Sequence, residues 1–437
     1  MATMLAGAGA RGPARADGPA GPVGDGSPGV EQAGAIRGQA GTWDGLIVLC
    51  AANDFDGMKM GDRHLADHLS RLAPVLYVDP PRSWLTPLRD PAAAAVPRGP
   101  RLTLAAPGLA RLTPVVQPGP SRRGATGLTS ALTRRYLRRA AAALGGQVDA
   151  VVSGWPQYPV FGSCRERARV YWAKDDFVGG ASLLRLNPRL LAARERQVVA
   201  GADLVLVANP VVAATWRERG MDPVLIPFGT DVDAYRDVDR AVPPPDARLP
   251  PPVAGLVGRI NGRTDLGLLE AIAERGHSLL LVGPKDPAFE PARFESLRRR
   301  PNVRWVGAKP FEALPGYLKV IDVGLVPYRD SAFNRGSCPL KTLEYLAAGR
   351  AVVATDLPAV RWLDTGLITI ASGPRAFVAE VDRLLAEPLT ASLVAARQRF
   401  AARHSWAGRA VDIHAAISRA GRRPEPARKH ILPASAD

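Results

Sequence analysis

Ser337-Cys-Pro-Leu-Lys-Thr-Leu-Glu-Tyr-Leu-Ala-Ala-Gly-Arg-Ala-Val-Val-Ala-Thr-Asp-Leu-Pro358 reads as a helix that runs into a buried strand. Ser337 is a residue type that caps a helix start, and Pro339 falls in the first turn, where a missing N–H costs little. Leu340, Leu343 and Ala347 form the inward face. Gly349 is placed to end the helix in a left-handed conformation, and residues 351–354 then enter a sheet. Lys341 and Glu344 stand three apart, so they project side by side from one face. The free N–H groups at such a helix start can hold a diphosphate. A carboxylate further along can accept hydrogen bonds from ribose hydroxyls. Spacing alone, however, favours an ordinary surface Lys–Glu pair.

Upstream of this unit, Val253-Ala-Gly-Leu-Val257, Ser278-Leu-Leu-Leu-Val282, Asn302-Val-Arg-Trp-Val306 and Asp322-Val-Gly-Leu-Val326 are short apolar runs bounded by turns, with helices fitting between them. The first half has the same rhythm. Residues 45–51, 75–78, 150–153, 169–172, 203–207 and 224–226 read as strands, and Leu65, Leu69 and Leu72 fall at helical spacing before a long helix over 126–144. Such alternation implies parallel sheets covered by helices. Between the halves, Asp239 to Pro252 carries six prolines, which sustain neither a helix nor a central strand. The predicted fold class is therefore α/β, two facing Rossmann-like domains with an interdomain cleft. Residues 1–42, rich in Gly, Ala and Pro, are expected to be a disordered leader. Residues 43–238 form the N-terminal domain, 239–252 the linker, 253–420 the C-terminal domain and 421–437 a flexible tail. Open parallel sheets bind ligands at the carboxyl ends of their strands, so the cleft is the expected site.

Composition narrows the partners. Of 437 residues 46% are hydrophobic, and the net charge is +16 with a pI near 10.4. Cys50, Cys164 and Cys338 form neither a CxxC pair nor a ligand cluster, so a disulfide framework and a zinc site are not indicated, and a reducing cytoplasm fits. The arginines are spread along the chain, as compositional bias produces. There is no aromatic RNA-binding stripe, finger spacing or basic heptad region, so nucleic acid is not an expected partner. The basic balance does fit peripheral contact with an anionic membrane, such as the inner face of the plasma membrane. No run reaches the roughly 18–20 apolar residues that span a bilayer, and the N-terminal stretch lacks the apolar core of a signal peptide.

The Ser337–Pro358 segment resembles the signature helix of retaining glycosyltransferases of the two-Rossmann (GT-B) architecture, glycosyltransferase family 4 and its relatives. The resemblance covers most of the chain between Trp43 and Ala420. It implies transfer of a sugar from a nucleoside diphosphate sugar to an acceptor hydroxyl with retention at the anomeric carbon, and neither a cofactor nor a metal. In that family the Glu matching Glu344 grips the donor ribose. The helix start, here Ser337 and Pro339, faces the donor phosphates, and Lys341 adds positive charge. The variant Pro339-Leu-Lys-Thr-Leu-Glu344 resembles a subgroup associated with teichuronic-acid-type and other cell-surface polysaccharide synthesis, which implies a glycan or lipid-linked acceptor. The family often carries a second Glu where Gly336 stands here, which leaves Ser337 or backbone N–H groups to meet the donor sugar.

Other motifs extend the resemblance. Gly255-Leu-Val-Gly-Arg-Ile-Asn-Gly-Arg263 is a glycine-lined turn that lets backbone approach a phosphate, with arginines to neutralise it. Gly258 lines the turn, Arg259 matches a diphosphate-binding position of the family, and Arg263 replaces a Lys that is absent here. Gly283-Pro-Lys285 resembles the family's turn near the nucleotide base, and Val306-Gly-Ala-Lys-Pro310 its loop past the base edge; both also read as plain tight turns. In the first half, Tyr171-Trp-Ala-Lys-Asp-Asp-Phe177 follows a strand. Adjacent carboxylates oppose each other's ionisation, which suits acid–base work. The resemblance places Asp175 and Asp176 on the acceptor side as candidate catalytic groups; alternatively one caps the next helix and the other is solvated. His64 is a third candidate, a neutral imidazole beside an acceptor hydroxyl or else a structural histidine. Pro227-Phe-Gly-Thr-Asp231 resembles the family turn leading into the linker, with Gly229 conformational. Two rival readings share the architecture: a nucleotide-sugar epimerase, which needs no acceptor, and a non-catalytic nucleotide-binding scaffold.

Overall fold

The structure, a computed structural model, describes residues 43–86, 99–122, 124–184 and 186–422; the predicted leader and most of the predicted tail lie outside the described residues. Its first half contains β1 (Leu46–Cys50), β2 (Val75–Val78), β3 (Arg82–Ser83), β4 (Arg101–Ala106), β5 (Leu109–Thr113), β6 (Val115–Val116), β7 (Val148–Ser153), β8 (Ala168–Ala173), β9 (Leu204–Val207) and β10 (Val224–Leu225). Eight of these form one sheet in the order β10-β9-β8-β7-β1-β2-β5-β4, parallel except where β4 runs antiparallel to β5. The apolar runs do not alternate with polar residues because both faces are covered. Leu46 and Val48 of β1 meet Leu137, Ala140 and Leu144 of the Thr126–Leu144 helix on one side. Ile47 and Leu49 meet Leu65 and Leu69 of the Gly61–Leu69 helix on the other.

The second half contains β11 (Val253–Val257), β12 (Ser278–Val282), β13 (Val303–Trp305), β14 (Val323–Val326), β15 (Ala351–Thr355) and β16 (Thr369–Ala371), ordered β13-β12-β11-β14-β15-β16 and parallel throughout. Ala254 and Leu256 of β11 face the helices carrying Leu269 and Phe377, whereas Val253 and Val257 face Leu343 and Leu346. Each sheet reverses its winding beside its first strand, between β1 and β7 and between β11 and β14. Doubly wound sheets bind their ligands at such switch points.

Two predicted boundaries are corrected. Tyr235, Val238 and Ala247 sink into the core beneath the Leu340–Ala347 helix. The proline-rich segment 239–252 is thus packed onto the second domain, and the chain crosses earlier, at Gly229-Thr230-Asp231. It crosses back at His404–Trp406, where the Thr230 N–H donates to the His404 carbonyl at 2.8 Å and the Trp406 N–H donates to the Thr230 carbonyl at 3.0 Å. A Cβ on Gly229 would lie 2.5 Å from the Trp406 nitrogen, so the crossing has no room for a side chain there. The final helix, Trp406–Ala420, was expected in the second domain. It packs on the first, where Trp406, Ile413 and Ile417 join Leu65, Leu69 and Trp172.

Candidate active site

The second-half elements that carry the candidate site residues converge on the end of β11. Tyr345 staples the Leu340–Ala347 helix to that strand: its hydroxyl accepts the Val257 N–H at 2.8 Å and donates to the Gly255 carbonyl at 3.2 Å. Gly324 of β14 makes room, since a Cβ there would stand 2.3 Å from the tyrosine ring. The staple turns Lys341 and Glu344 toward the loop after β11. The Lys341 Cε lies 3.5 Å from where a Gly258 Cβ would be, and the Lys341 ammonium pairs with Glu344 Oε2 at 2.6 Å. Glu344 is buried and Lys341 half-buried. Beside Glu344, the buried Tyr235 hydroxyl has no hydrogen-bond partner among the described residues, and burial followed by the Glu344 charge pushes its ionisation well up.

Three glycines stack the loops that follow β11, β12 and β13. The Gly258 N–H donates to the Val282 carbonyl and the Gly283 N–H to the Gly307 carbonyl, each at 2.8 Å. Gly283 has φ +139°, and a Cβ on it would stand 1.9 Å from the Gly258 carbonyl oxygen, so no other residue fits. Arg259 is half-buried, with Asp286 the opposite charge that faces it; burial holds its pKa below the usual value. Arg263 is committed elsewhere. Its guanidinium lies between the rings of Tyr328 and Phe333, 4.8 and 4.9 Å from their centroids, and donates to Asn334 Oδ1 at 2.8 Å. It thus faces the first domain's Asp175 from within the second.

Ser337 does not cap the signature helix, contrary to expectation. Its hydroxyl donates back to the Phe333 carbonyl at 2.9 Å, closing the short Ala332–Arg335 helix. Pro339 occupies the cap position, with no side chain bonded to the first N–H groups. Gly349, at φ +72°, terminates the helix as expected.

In the first domain, Asp62 and Lys174 form a buried ion pair that sequence reading passed over. Asp62 opens the Gly61–Leu69 helix and also accepts the Ala52 N–H and the Asn53 side-chain amide. Lys174 follows β8 directly and precedes the two aspartates. Asp176 takes the structural part: Oδ1 accepts the Gly179 N–H at 2.8 Å and closes a turn. Asp175 differs. Desolvation pushes its pKa up to about 6 against the opposing pull of Arg263 and Lys174, with Asp62 and Asp176 adding to the rise. A carboxyl near 6 exchanges protons readily at neutral pH.

His64 is enclosed rather than presented on a cleft wall. It is buried at the domain junction, its ring parallel to Trp406 at 5.7 Å and edge-on to Phe311 at 5.0 Å. Burial, followed by the charges of Lys59 and Lys341, holds its pKa down at about 2, so it is a neutral stacking partner.

The two domains touch through glycines. A Cβ on Gly180 would stand 2.4 Å from Phe333 Cδ2, one on Gly262 3.1 Å from Leu183 Cδ2, and one on Gly336 3.2 Å from Asp176 Cβ and 3.3 Å from Val212 Cγ2. The Asn209 amide adds a hydrogen bond to the Ser337 carbonyl at 3.0 Å. Gly336 is therefore the seat of the opposing domain, and a glutamate there would drive against Asp176. At this junction a cavity of about 10 Å³ is lined by Arg263, Asn334, Ser337, Cys338 and Pro339. That is room for about one water molecule.

Asp175 yields a signed expectation. Its pKa in the folded state, about 6, exceeds the ordinary 3.8, so its contribution to stability is complete below about 3.8 and is lost as pH rises through about 6. Asp175→Asn should therefore melt higher than the parent at pH 8, with the gap closing between pH 6 and 4 in thermal unfolding scans. Parallel curves across that window would show that the carboxyl is not desolvated.

With this geometry set out, the class is plain: two doubly wound domains facing across a cleft, the GT-B fold. Among solved structures, the fold is shared with a sucrose-phosphate synthase from Thermosynechococcus elongatus (TM-score 0.67, 19% identity, 86% of this chain and 98% of that one). It is shared too with Anabaena HepE in complex with UDP and glucose (TM-score 0.60, 14% identity, 86% and 99%). Residues 251–387 match the family described as Glycosyl transferases group 1. Over 159 residues the chain is 30% identical to a Bacillus subtilis (strain 168) protein named as a teichuronic acid biosynthesis glycosyltransferase, TuaH. That match spans 35% of this chain and 40% of the relative.

Proposed function

We propose that this protein is a glycosyltransferase that moves a sugar from a nucleoside diphosphate sugar to the hydroxyl of a glycan or lipid-linked acceptor in cell-surface glycan synthesis. One observation carries the reading: Lys341 and Glu344 are paired on a helix stapled to β11, beside Gly258 and at the switch point of the second sheet. Glu344 receives the ribose hydroxyls. Arg259, Lys341 and the N–H of Lys341 in the first turn of the helix hold the diphosphate, supplying the positive charge that a metal ion supplies in other architectures. As the bond from the anomeric carbon to the diphosphate oxygen breaks, a bond from that carbon to the acceptor oxygen forms. The acceptor proton passes to Asp175, whose desolvated carboxylate suits a base at neutral pH. Retention at the anomeric carbon follows from the family likeness of the Pro339–Glu344 segment, and a product of inverted configuration by NMR would overturn it.

The family match over 251–387 supports this reading, as do the teichuronic-acid relative and the fold shared with HepE in complex with UDP and glucose. The test is thermal stabilisation by UDP, GDP, dTDP and ADP. Ligand at about 100 times its dissociation constant adds roughly 2.7 kcal/mol to the native state. The reading requires one nucleotide to raise the melting temperature, with sugar transfer then sought from the matching donor. Turnover without any acceptor would assign an epimerase, and no response to millimolar nucleotide would remove the donor site altogether.

A further inference from the structure

The positive charge is less evenly spread than the whole-chain composition suggests. Between Asp90 and Asp149 there is no acidic residue and no lysine, but there are nine arginines. In the described part of this stretch, Arg111 is neutralised by Asp56 and Asp79. Arg101 stands exposed at the start of β4, and the rest gather on or just before one helix. The Thr126–Leu144 helix buries Thr129, Thr133, Leu137, Ala140 and Leu144 against the first sheet and presents Arg134, Arg135 and Arg138 to solvent, with Arg122 exposed just before it. None of these four has an acidic partner among the described residues.

The near end of the helix is apolar. Leu128 is 53% exposed and Trp84 51% exposed. They belong to one region: the Trp84 N–H donates to the Val116 carbonyl, and the next residue, Gln117, donates to the Ala125 carbonyl and the Thr129 hydroxyl in the first turn. An arginine-studded helix ending in an exposed tryptophan and leucine has two different affinities side by side. Arginines attract an anionic surface, and an indole settles at the boundary between headgroups and acyl chains.

We infer that this face of the first domain docks on an anionic lipid bilayer, the arginines on the headgroups and Trp84 with Leu128 at the acyl boundary. A soluble polyanion satisfies the arginines alone and leaves the apolar end without a role, which decides for the bilayer. The start of the helix is tied to the Pro188–Ala200 helix by the Arg194 hydrogen bond to the Thr126 hydroxyl at 2.7 Å. The docking surface does not depend on the site proposed above.

The test is co-sedimentation of the full chain with phosphatidylcholine vesicles and with vesicles one-third phosphatidylglycerol, at about 0.1 M salt, where screening is moderate. Binding should require the anionic lipid and weaken as salt rises. Arg134→Gln/Arg135→Gln/Arg138→Gln should bind on the order of 100-fold more weakly, since each basic residue near the surface contributes roughly five-fold. Trp84→Ala should lose several-fold without changing the salt dependence. Glutamine keeps the helix propensity, and a nucleotide response retained by the triple variant shows that fold and donor site are intact. Equal sedimentation of parent and triple variant, or failure of the parent to bind anionic vesicles, overturns the inference. So does single-stranded nucleic acid that displaces the vesicles while Trp84→Ala is without effect, which assigns the face to a soluble polyanion.

Discussion

Glu344→Ala should weaken nucleotide binding by at least about 100-fold, because it removes two hydrogen bonds to a charged group that contribute about 1.5–3 kcal/mol each. The carboxylate is held in place. It is buried on a helix fixed to β11 by Tyr345, and Lys341 sets its rotamer through a 2.6 Å contact. The substitution should leave the unliganded fold nearly intact, since the Lys341 it strands is 23% exposed and can turn to solvent. Glu344→Gln keeps one acceptor oxygen and should fall between the two. The measurement is the thermal shift on nucleotide addition, titrated to give a dissociation constant for each variant. A Glu344→Ala protein that folds and still binds with parental affinity would show that the Lys341–Glu344 pair is only structural.

That pair was legible because its elements are local. The 3.6-residue spacing of Leu343 and Ala347, the terminating Gly349 and the apolar run after it all lie within one helix–strand unit, although Leu346 rather than Leu340 completes the buried face. Ser337 was misread for a reason equally local. Ala332–Arg335 is too short to show periodicity, yet Ser331 caps it and Ser337 bonds back to it, so the serine belongs to the preceding turn. The β4–β5 hairpin left a readable signal in Pro107-Gly108 between two apolar runs. Gly108 adopts φ +70° there. No comparable signal marked the final helix. Trp406, Ala410, Ile413 and Ile417 form a clear apolar stripe, but a stripe does not say which of two domains it covers. His64 and Arg263 were assigned by position in the chain, whereas their contacts come from aromatic rings elsewhere: Phe311 and Trp406 around the histidine, Tyr328 and Phe333 around the arginine.

Domain closure follows from the same long-range contacts. Phe333 fills the notch at Gly180, Leu183 the one at Gly262, and Asp176 abuts Gly336. Each glycine is ordinary in sequence and is explained only by the partner brought against it. Together they let the second domain approach until Arg263 acts on Asp175, which couples the charge of the candidate base to closure. A substrate that holds the domains apart would change that charge before chemistry begins.

Lys174→Met carries the largest expected cost in stability. Asp62 has no exposed surface and the Lys174 side chain is 4% exposed, so removing the ammonium leaves a buried carboxylate whose remaining donors, among the described residues, are Ala52 and Asn53. Breaking a buried pair by deleting one partner costs about 3–5 kcal/mol, because the remaining charge cannot recover its hydration. For a domain of this size that is a melting-temperature loss of roughly 6–20 °C. The double change Asp62→Asn/Lys174→Met should recover much of it, since the uncompensated charge is gone. The pair also reaches the site. Lys174 is one of the two charges that oppose the rise in the Asp175 pKa, so its loss should move any pH–rate profile governed by Asp175 to higher pH. Asp62→Asn, which removes a charge that raises the Asp175 pKa, should move that profile the other way. Melting curves of the three variants, with pH–rate profiles once a donor is known, separate the two effects. A Lys174→Met cost below about 1 kcal/mol, the value of an exposed pair, would mean that water reaches Asp62.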